Sequence, residues 1–434
     1  MIGKFYKYVS RNVAGMVGMS VYILADTFFI SVAGGADGIV VLNLALPLYG
    51  LIFAIGSMIG IGSATRYSLL RAKGNEDTSG FLGQAVCWQL LASIPFVILG
   101  LFSAGTWLYF MGGDARIISL GTGYVRIVLL GTPFFMMNYS FTAFARNDNA
   151  PTIAMIAALT ASTFNIIFDY VFVFPMGFGI AGAALATALA PLVSSLICSI
   201  HLFGKKSTVR FGREKIKSNL SVSKLFDCCK LGTSAFVGEI SSAVITTVFN
   251  FLLLREAGNI GVAAYGIVAN LSLVAMAIFN GISQGMQPLF SETFGKGEFI
   301  KVRKLLKHGV ALTLITEMLL IASTWLFTSN LVKIFNSEGS ELLAGYGYDA
   351  LRLYFLGFLF AGVNIVLITY FSSIGQASFA MITSLLRGAV AIVICAILMS
   401  FIFGINGIWL SFPAAEFITF IVVVVLLRKV KLSF

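Results

Sequence analysis

The strongest constraint on this chain is a series of long apolar runs, each long enough to cross a membrane as a helix. A bilayer core about 30 Å thick requires about 20 consecutive apolar residues in a spanning helix. Of the 434 residues, 58% are hydrophobic and 11% are charged, whereas soluble domains average about 25% charged residues. The sequence therefore predicts an all-α, multi-pass membrane protein, with nearly all of the chain in or against the bilayer.

Short polar breaks divide the apolar sequence into twelve predicted spans, numbered here in chain order. They cover residues 12–33, 39–66, 81–104, 117–144, 152–175, 179–203, 226–254, 261–289, 308–328, 346–373, 379–403 and 406–427. The longest polar stretch lies between spans 6 and 7. We therefore predict an N-terminal six-helix bundle over residues 1–203, a linker over 204–224 and a C-terminal six-helix bundle over 225–434.

The distribution of basic residues predicts the orientation in the membrane. The termini and the even-numbered loops carry most of the Lys and Arg, while the odd-numbered loops carry only Arg116, Arg255 and Lys333. Because Lys and Arg are enriched in cytoplasmic loops, both termini and the linker are predicted to be cytoplasmic. Lipid headgroups and this bias also explain the net charge of +11, so we expect membrane lipids and no nucleic acid as partners.

Sequence signals for other functional classes are missing. The five cysteines have neither metal-ligand spacing nor the pattern of a disulfide framework. No Walker motif or nucleophile–base pair is present, the only histidines are His201 and His308, and no cleavable signal peptide is predicted. We therefore expect no cofactor, no dedicated metal cluster and no enzymatic activity.

The two halves of the sequence repeat. A shift of 226 residues aligns 126–159 with 352–385 and gives nine identities in 34 positions. They are Arg126/Arg352, Leu130/Leu356, Gly131/Gly357, Phe134/Phe360, Asn138/Asn364, Ala154/Ala380, Met155/Met381, Ile156/Ile382 and Leu159/Leu385. Six spans per half give both halves the same direction, so the sequence predicts two pseudo-symmetric bundles in a parallel repeat, with substrate bound between them.

Two acidic residues are predicted to lie at membrane depth in the first half. Counted from the cytoplasmic ends of spans 1 and 5, Asp26 and Asp169 come out roughly 20 and 25 Å into the membrane. Tyr22 and Asn165 lie one turn below them, and the small residues that open span 6 would bring Thr187 towards Asp169. Two neighbouring carboxylates cannot both ionise cheaply in low dielectric, so the pair should hold a proton or share a cation. The alternative is a structural hydrogen-bonded pair that joins spans 1 and 5.

The second half has lost these acids, because Asp169 aligns with Cys395 and Asp26 falls near 249–250. Its own polar residues are candidates for the substrate cavity between the bundles. They are Glu239 in span 7 and Asn270 and Gln284 in span 8, to which we add Asn138 of span 4. Glu239 suits contact with a cationic substrate or a second ion, or a local bond to Ser241 and Ser242, and the sequence leaves both open.

These residues together resemble the multidrug and toxic compound extrusion (MATE) family of cation-coupled antiporters. The resemblance covers essentially the whole chain and is most specific in three pieces. They are Ala25-Asp26-Thr27, Asn165-x-x-x-Asp169 with Gly179-x-x-Gly182-Ala-Ala-x-Ala-Thr187, and Gln284-Gly-Met-Gln287-Pro288. The pattern is similar to the bacterial branch whose proton or sodium site lies in the N-terminal bundle. The resemblance implies that Tyr22, Asp26, Asn165, Asp169 and Thr187 form this site, in a protein of the bacterial inner membrane.

Three functions follow as hypotheses. The first is a monomeric antiporter that exports amphipathic organic cations and other xenobiotics in exchange for protons or sodium. Sodium would bind at Asp26, Asn165, Asp169 and Thr187, and the sequence does not distinguish the two ions. The second is a flippase for a lipid-linked precursor. The third, an integral-membrane enzyme or channel, is opposed by the missing catalytic residues and by the internal repeat. Some relatives bend span 1 at a proline, where this chain offers only Gly15 and Gly18.

Overall fold

A computed structural model of the protein describes residues 2–74, 78, 80–209, 220–335 and 340–430. Every regular element among these residues is helical, which confirms the all-α prediction. Residues 210–219 of the predicted linker lie outside the described residues, so the linker and the bundle boundaries at 203 and 225 stay predictions.

Nine helices of the described part of the chain are long and apolar enough to cross a membrane. They are Ile2–Gly35 (span 1), Asp37–Ala72 (span 2), Phe81–Phe102 (span 3), Pro151–Val173 (span 5), Gly179–Leu202 (span 6), Val222–Gly258 (span 7), Ile260–Gly295 (span 8), Phe299–Leu326 (span 9) and Ala377–Lys429. At 1.5 Å per residue the last would be about 80 Å long, so it crosses twice, as spans 11 and 12.

Spans 4 and 10 are each bent pairs of helices. Span 4 consists of Ala115–Leu130 and Thr132–Asn147, bent by 40°, and span 10 of Glu341–Phe355 and Phe358–Ser373, bent by 44°. Short helices precede both of them, at Ala104–Phe110 and Thr328–Phe335. These short helices were not predicted from the sequence, but their spacing supports the internal repeat. With the bent pairs and the divided last helix, the fold contains the predicted twelve spans.

Three connections between spans are very tight, and the first two are much tighter than the polar breaks predicted. Spans 1 and 2 are joined at Gly35 (φ 58°), spans 7 and 8 at Gly258 (φ 63°), and spans 11 and 12 at Gly404 (φ 56°). These positive φ angles with ψ near −145° are open essentially to glycine alone. One residue therefore reverses the chain, and spans 1, 2, 7 and 8 extend beyond their predicted ends.

The buried apolar side chains form separate cores in the two halves. Two clusters, one around Tyr124 and one around Tyr67, belong almost entirely to the first six spans, and a large third cluster around Trp409 belongs mainly to the last six. On the outside, large apolar side chains such as Phe401 and Leu326 are 91% and 79% exposed. Such exposure is stable only against lipid, so the chain forms two helical lobes within a bilayer.

The lobes meet on the side that carries the N terminus, called the termini side below. There the first residues of span 1, Phe5, Tyr8 and Val9, join the core of the C-terminal lobe. Spans 2 and 7 approach so closely that a Cβ atom on Gly232 would overlap the backbone oxygen of Met58. Small residues allow this contact between backbones, which closes the termini side of the interface.

We predict that Gly232→Ala opens the termini side. The added methyl group meets backbone rather than a flexible side chain, so spans 2 and 7 must separate. Distance measurements between spin labels at the exposed positions Lys73 and Lys296 should show a longer population than in the wild type. Gly238→Ala on the same helix is the matched control, because no atom lies within 4 Å of its Cβ position. Equal distances in the two variants would contradict the prediction.

Candidate functional site

The site is built on the helical hairpin of spans 5 and 6. Span 5 ends at Val173, and two glycines with positive φ, Gly177 and Gly179, turn the chain into span 6. Gly182 then packs against the backbone of Phe172, where a Cβ would lie 2.8 Å from the carbonyl carbon. This close antiparallel contact of small residues sets Thr187 beside span 5, as the sequence predicted.

A continuous chain of polar contacts joins spans 1, 6 and 5 at this level. The Thr187 hydroxyl donates to Oδ1 of Asp26 at 3.2 Å. The side-chain amide of Asn165 accepts from the backbone N–H of Thr187 at 3.3 Å and donates to Oδ2 of Asp169 at 3.1 Å. The two carboxylates are thus linked through Thr187 and Asn165, so the structure brings together four of the five predicted site residues.

The orientation of the Asn165 amide follows from its surroundings. With its nitrogen towards Asp169, it donates to that carboxylate, and its oxygen accepts from the backbone N–H of Thr187 at 3.3 Å. The opposite orientation would set an amide oxygen against a carboxylate oxygen, which is repulsive. Asn165 therefore acts as a donor to Asp169 and fixes the distance between spans 5 and 6.

Both carboxylates are withdrawn from solvent and lipid. Asp169 is 0% exposed and Asp26 is 8% exposed. Oδ1 of Asp169 has no hydrogen-bond partner among the described residues, so one acceptor of the pair remains free. Tyr22, the fifth predicted residue, is half-buried and close enough to interact electrostatically with both carboxylates, although it hydrogen-bonds to neither.

Asp26 and Asp169 form no ion pair in the part of the chain that the structure describes. Two anions linked through only Thr187 and Asn165 repel strongly in a low dielectric. A positive species is therefore expected beside them. A proton on either carboxylate meets this need. The alternative, sodium bound at Asp26, Asn165, Asp169 and Thr187, stays a prediction. The described residues contain no cluster of three His, Cys, Asp or Glu side chains suited to a metal ion.

Of the predicted cavity residues, Glu239 is the one that connects the two lobes. Its Oε1 accepts from the Tyr139 hydroxyl of span 4 at 3.2 Å. The local alternative is wrong for Ser241, whose hydroxyl donates to the backbone oxygen of Val237. Glu239 is half-buried, and its carboxylate therefore faces the neighbouring lobe.

The other three cavity candidates are half-buried and contribute fewer contacts. Asn270 donates to the backbone oxygen of Gly266 within its own helix at 2.8 Å. Gln284 lies on the same span as Asn270, closer to the termini side. Oδ1 of Asn138 is buried without a hydrogen-bond partner within the described residues. These contacts do not bring the three residues to one site, and their role in a substrate cavity stays a prediction.

The sequence indicated that Gln287 lines the interlobe face, but it did not reveal the partners with which Gln287 forms a polar cluster between the lobes. Gln287 of span 8 accepts from Asn147 at 2.9 Å and donates to Thr65 of span 2 at 3.0 Å. Lys4 and Glu292 add an ion pair of 2.7 Å nearer the termini. The contacts of Gln287 and Lys4 lie on the termini side of the interface, whereas Glu239 lies near the middle of span 7. The only available signal was the amide-rich end of span 8, which could not reveal its partner spans.

Comparison with known proteins places this geometry in context. The MatE family model matches residues 13–171 and 235–397, most of both lobes. The chain is 26% identical over 399 residues to the multidrug export protein MepA of Staphylococcus saprophyticus, covering 91% of this chain and 86% of the relative. It is 25% identical over 404 residues to MepA of Staphylococcus aureus, with the same coverage.

Solved structures share the fold. One is a MATE in complex with MaL6, with a TM-score of 0.91 and 20% identity, covering 98% of this chain and 95% of the other. Another is the outward-facing conformation of a multidrug resistance MATE family transporter of the MOP superfamily, with a TM-score of 0.90, 21% identity and the same coverage. The match to the family model over both lobes confirms the resemblance seen in the sequence: the chain belongs to the MatE family of multidrug and toxic compound extrusion transporters.

Proposed function

We propose that this protein is a secondary active multidrug exporter that exchanges protons or sodium for amphipathic organic cations and other xenobiotics. The observation that carries this proposal is the buried pair of Asp26 and Asp169, which is linked through Thr187 and Asn165 and has no basic partner in the described residues. Such a pair is stable only with a proton or cation beside it, so its occupancy depends on the ion available. The multidrug export function given to its MepA relatives agrees with this role.

The described conformation is one end of the transport cycle. Its lobes are in contact on the termini side, through the backbone approach at Gly232 and the contacts of Gln287. If the termini are cytoplasmic, as the basic loops predict, this state is closed to the cytoplasm and would release substrate outwards. The opposite state requires Gln287 and Lys4 to part from their partners in the other lobe.

Ion binding drives the cycle through its effect on spans 1, 5 and 6. Span 1 carries Asp26 and, about 20 residues earlier, Phe5, Tyr8 and Val9 in the core of the other lobe. A change in the tilt or position of span 1 at Asp26 is therefore transmitted directly to the interface. An ion shifts the balance between the two states only by its difference in affinity for them, and span 1 supplies the mechanical link.

Glu239 is proposed to select for cationic substrates. It places a carboxylate at the interlobe face of span 7, hydrogen-bonded to Tyr139. A carboxylate beside an aromatic ring suits an organic cation, because both groups attract positive charge. The acidic character of this face also favours organic cations over the lipid-linked precursor of the flippase hypothesis.

The main prediction concerns Asp169→Asn in proteoliposomes under an imposed pH gradient or an imposed sodium gradient. Efflux of a fluorescent cationic dye should fall at least about tenfold in the variant, because the coupling group loses its differential affinity for the ion. The gradient that drives the wild type identifies the coupling ion. Asp37→Asn is the matched control, since this acid of the same lobe is paired with Arg116 at 2.6 Å.

Two outcomes would argue against coupling at this site. Equal gradient-driven efflux by the wild type and by Asp26→Asn/Asp169→Asn would exclude the pair as the coupling site. Absence of efflux by the wild type under either gradient would move the proposal to the flippase, and lipid-linked substrates would be assayed next.

A second prediction concerns substrate charge. Glu239→Gln should lower the transport of a cationic dye about fivefold, which corresponds to about 1 kcal/mol for a partly exposed ion pair. Transport of an uncharged substrate should change little. The control is Glu256→Gln, near the far end of the same span. A similar loss for charged and uncharged substrates would show that Glu239 has a structural role instead.

A further inference from the structure

The C-terminal lobe contains a buried ion pair that the proposed transport mechanism does not use. Nε of Arg387 in span 11 lies 2.7 Å from Oε1 of Glu416 in span 12. The side chains are only 16% and 3% exposed. Charged residues within membrane spans are rare, and they usually mark functional positions.

Glu416 is anchored from a third helix as well. The Asn364 amide of span 10 donates to Oε2 of Glu416 at 2.8 Å and to its backbone oxygen at 2.9 Å. Glu416 thus has a cation beside one oxygen and an amide donor on the other, unlike Asp169, whose Oδ1 has no partner in the described part of the chain.

The backbone around Arg387 is itself unusual. Leu386–Val390 form a π-helical turn inside span 11, and π turns often occur at functional sites. Gly388 within this turn packs directly against Ser241 of span 7, leaving no room for a Cβ atom. On the other side, Nη2 of Arg387 lies 3.8 Å from the sulfur of Met276 in span 8. The π turn thus holds the guanidinium among spans 7, 8 and 12.

This pair occupies the helices that correspond, by the internal repeat, to those of the N-terminal site. Spans 5 and 6 of the first lobe match spans 11 and 12 of the second. A shift of 226 relates Asn165 to Ala391, and Arg387 lies one turn from Ala391 towards the termini side. The match of the hairpins uses a shift of 225, one residue shorter. It relates Thr187 to Phe412, and Glu416 lies one turn from Phe412 in the same direction.

We propose that Arg387 is a covalently attached cation that permanently fills the position in the C-terminal lobe corresponding to the exchangeable cation of the N-terminal lobe. Both lobes then contain carboxylate and amide groups between matching spans, with the C-terminal set at least one turn nearer the termini side, and each set needs one positive charge. The N-terminal lobe takes that charge from solution, whereas the C-terminal lobe carries it on its own chain. Ion exchange during transport is thereby confined to one lobe.

The chemistry of the pair supports this assignment over a purely stabilising role. A buried ion pair contributes little net stability compared with apolar residues of the same size. Loss of one partner, however, leaves an uncompensated charge. A guanidinium is always protonated and offers several donors to a carboxylate. It therefore cannot leave the site or become neutral during the cycle, in contrast to a proton or a sodium ion.

The test is replacement of the attached cation by a free one. Arg387→Ala leaves Glu416 without its cation and a space of guanidinium size. The thermal stability of the purified variant in detergent would be measured with millimolar guanidinium chloride, with sodium chloride of equal ionic strength, and with urea. Guanidinium should raise the midpoint of Arg387→Ala above the value in sodium chloride, and urea, which has the same shape without the charge, should not.

Two further variants distinguish charge from other roles of the side chain. Arg387→Lys keeps a cation, and Arg387→Met/Glu416→Gln removes both charges, so neither should respond to guanidinium. In proteoliposomes, Arg387→Ala should transport at least about tenfold more slowly than wild type, because a buried anion is left unpaired. Guanidinium should recover part of this loss, and so should removal of both charges in the double variant.

Several results would overturn the proposal. Equal rescue by urea would mean that volume rather than charge matters, and a double variant as impaired as Arg387→Ala would mean that the guanidinium acts on another group. The inference rests on the proposed function only for confinement of ion exchange to one lobe. The stability measurement needs no transport, so its failure leaves the exporter proposal intact, and a failed export assay leaves the charge assignment testable.

Discussion

The rest of the structure depends on one electrostatic constraint: two carboxylates lie within a low-dielectric bundle without a basic partner among the described residues. Asp26 and Asp169 come from different spans and are held by Thr187 and Asn165, so they cannot separate to reduce their repulsion. A positive species must then join them, and its presence or absence changes the forces on span 1. The position of span 1 therefore depends on whether the ion is bound, and no further conformational element is needed for coupling.

The two lobes solve the same electrostatic problem in different ways. In the N-terminal lobe, one acceptor of Asp169 has no partner among the described residues and can bind a cation from solution. In the C-terminal lobe, we propose that Arg387 supplies this positive charge beside Glu416. A repeat that arose with two equal halves would give two equal ion sites. Replacement of one ion site by a fixed charge keeps the packing of the lobe and removes one exchangeable ion from each cycle. Only the N-terminal lobe then changes its charge during transport, while the charge of the C-terminal lobe stays constant.

The sequence predicted the fold class and the twelve spans, because those depend on hydropathy. It predicted the proximity of Asp26 and Asp169 from their similar depths in spans 1 and 5 and from the family resemblance. The positive-φ glycines, such as Gly35 and Gly258, were missed because a break in hydropathy does not show how few residues the turn needs. The Tyr139–Glu239 contact and the Arg387–Glu416 pair were missed for another reason. Their partners lie on different spans, and relative helix rotation, which a π turn also changes, cannot be read from composition.

The polar nature of the interlobe contacts determines how easily the transporter can switch. Individual hydrogen bonds within membrane proteins contribute about 0.6–2 kcal/mol, so the contacts of Gln287, Glu239 and Lys4 together amount to a few kcal/mol. Moving an equilibrium from 1:99 to 99:1 requires about 5.5 kcal/mol of differential binding. The polar contacts that hold the closed state therefore contribute a free energy of the same order as the differential binding energy that one ion must supply. The apolar contacts of Phe5, Tyr8 and Val9 with the other lobe add to these polar contacts. They belong to span 1, which also carries Asp26, so an ion at Asp26 acts on the same helix that helps to hold the closed state.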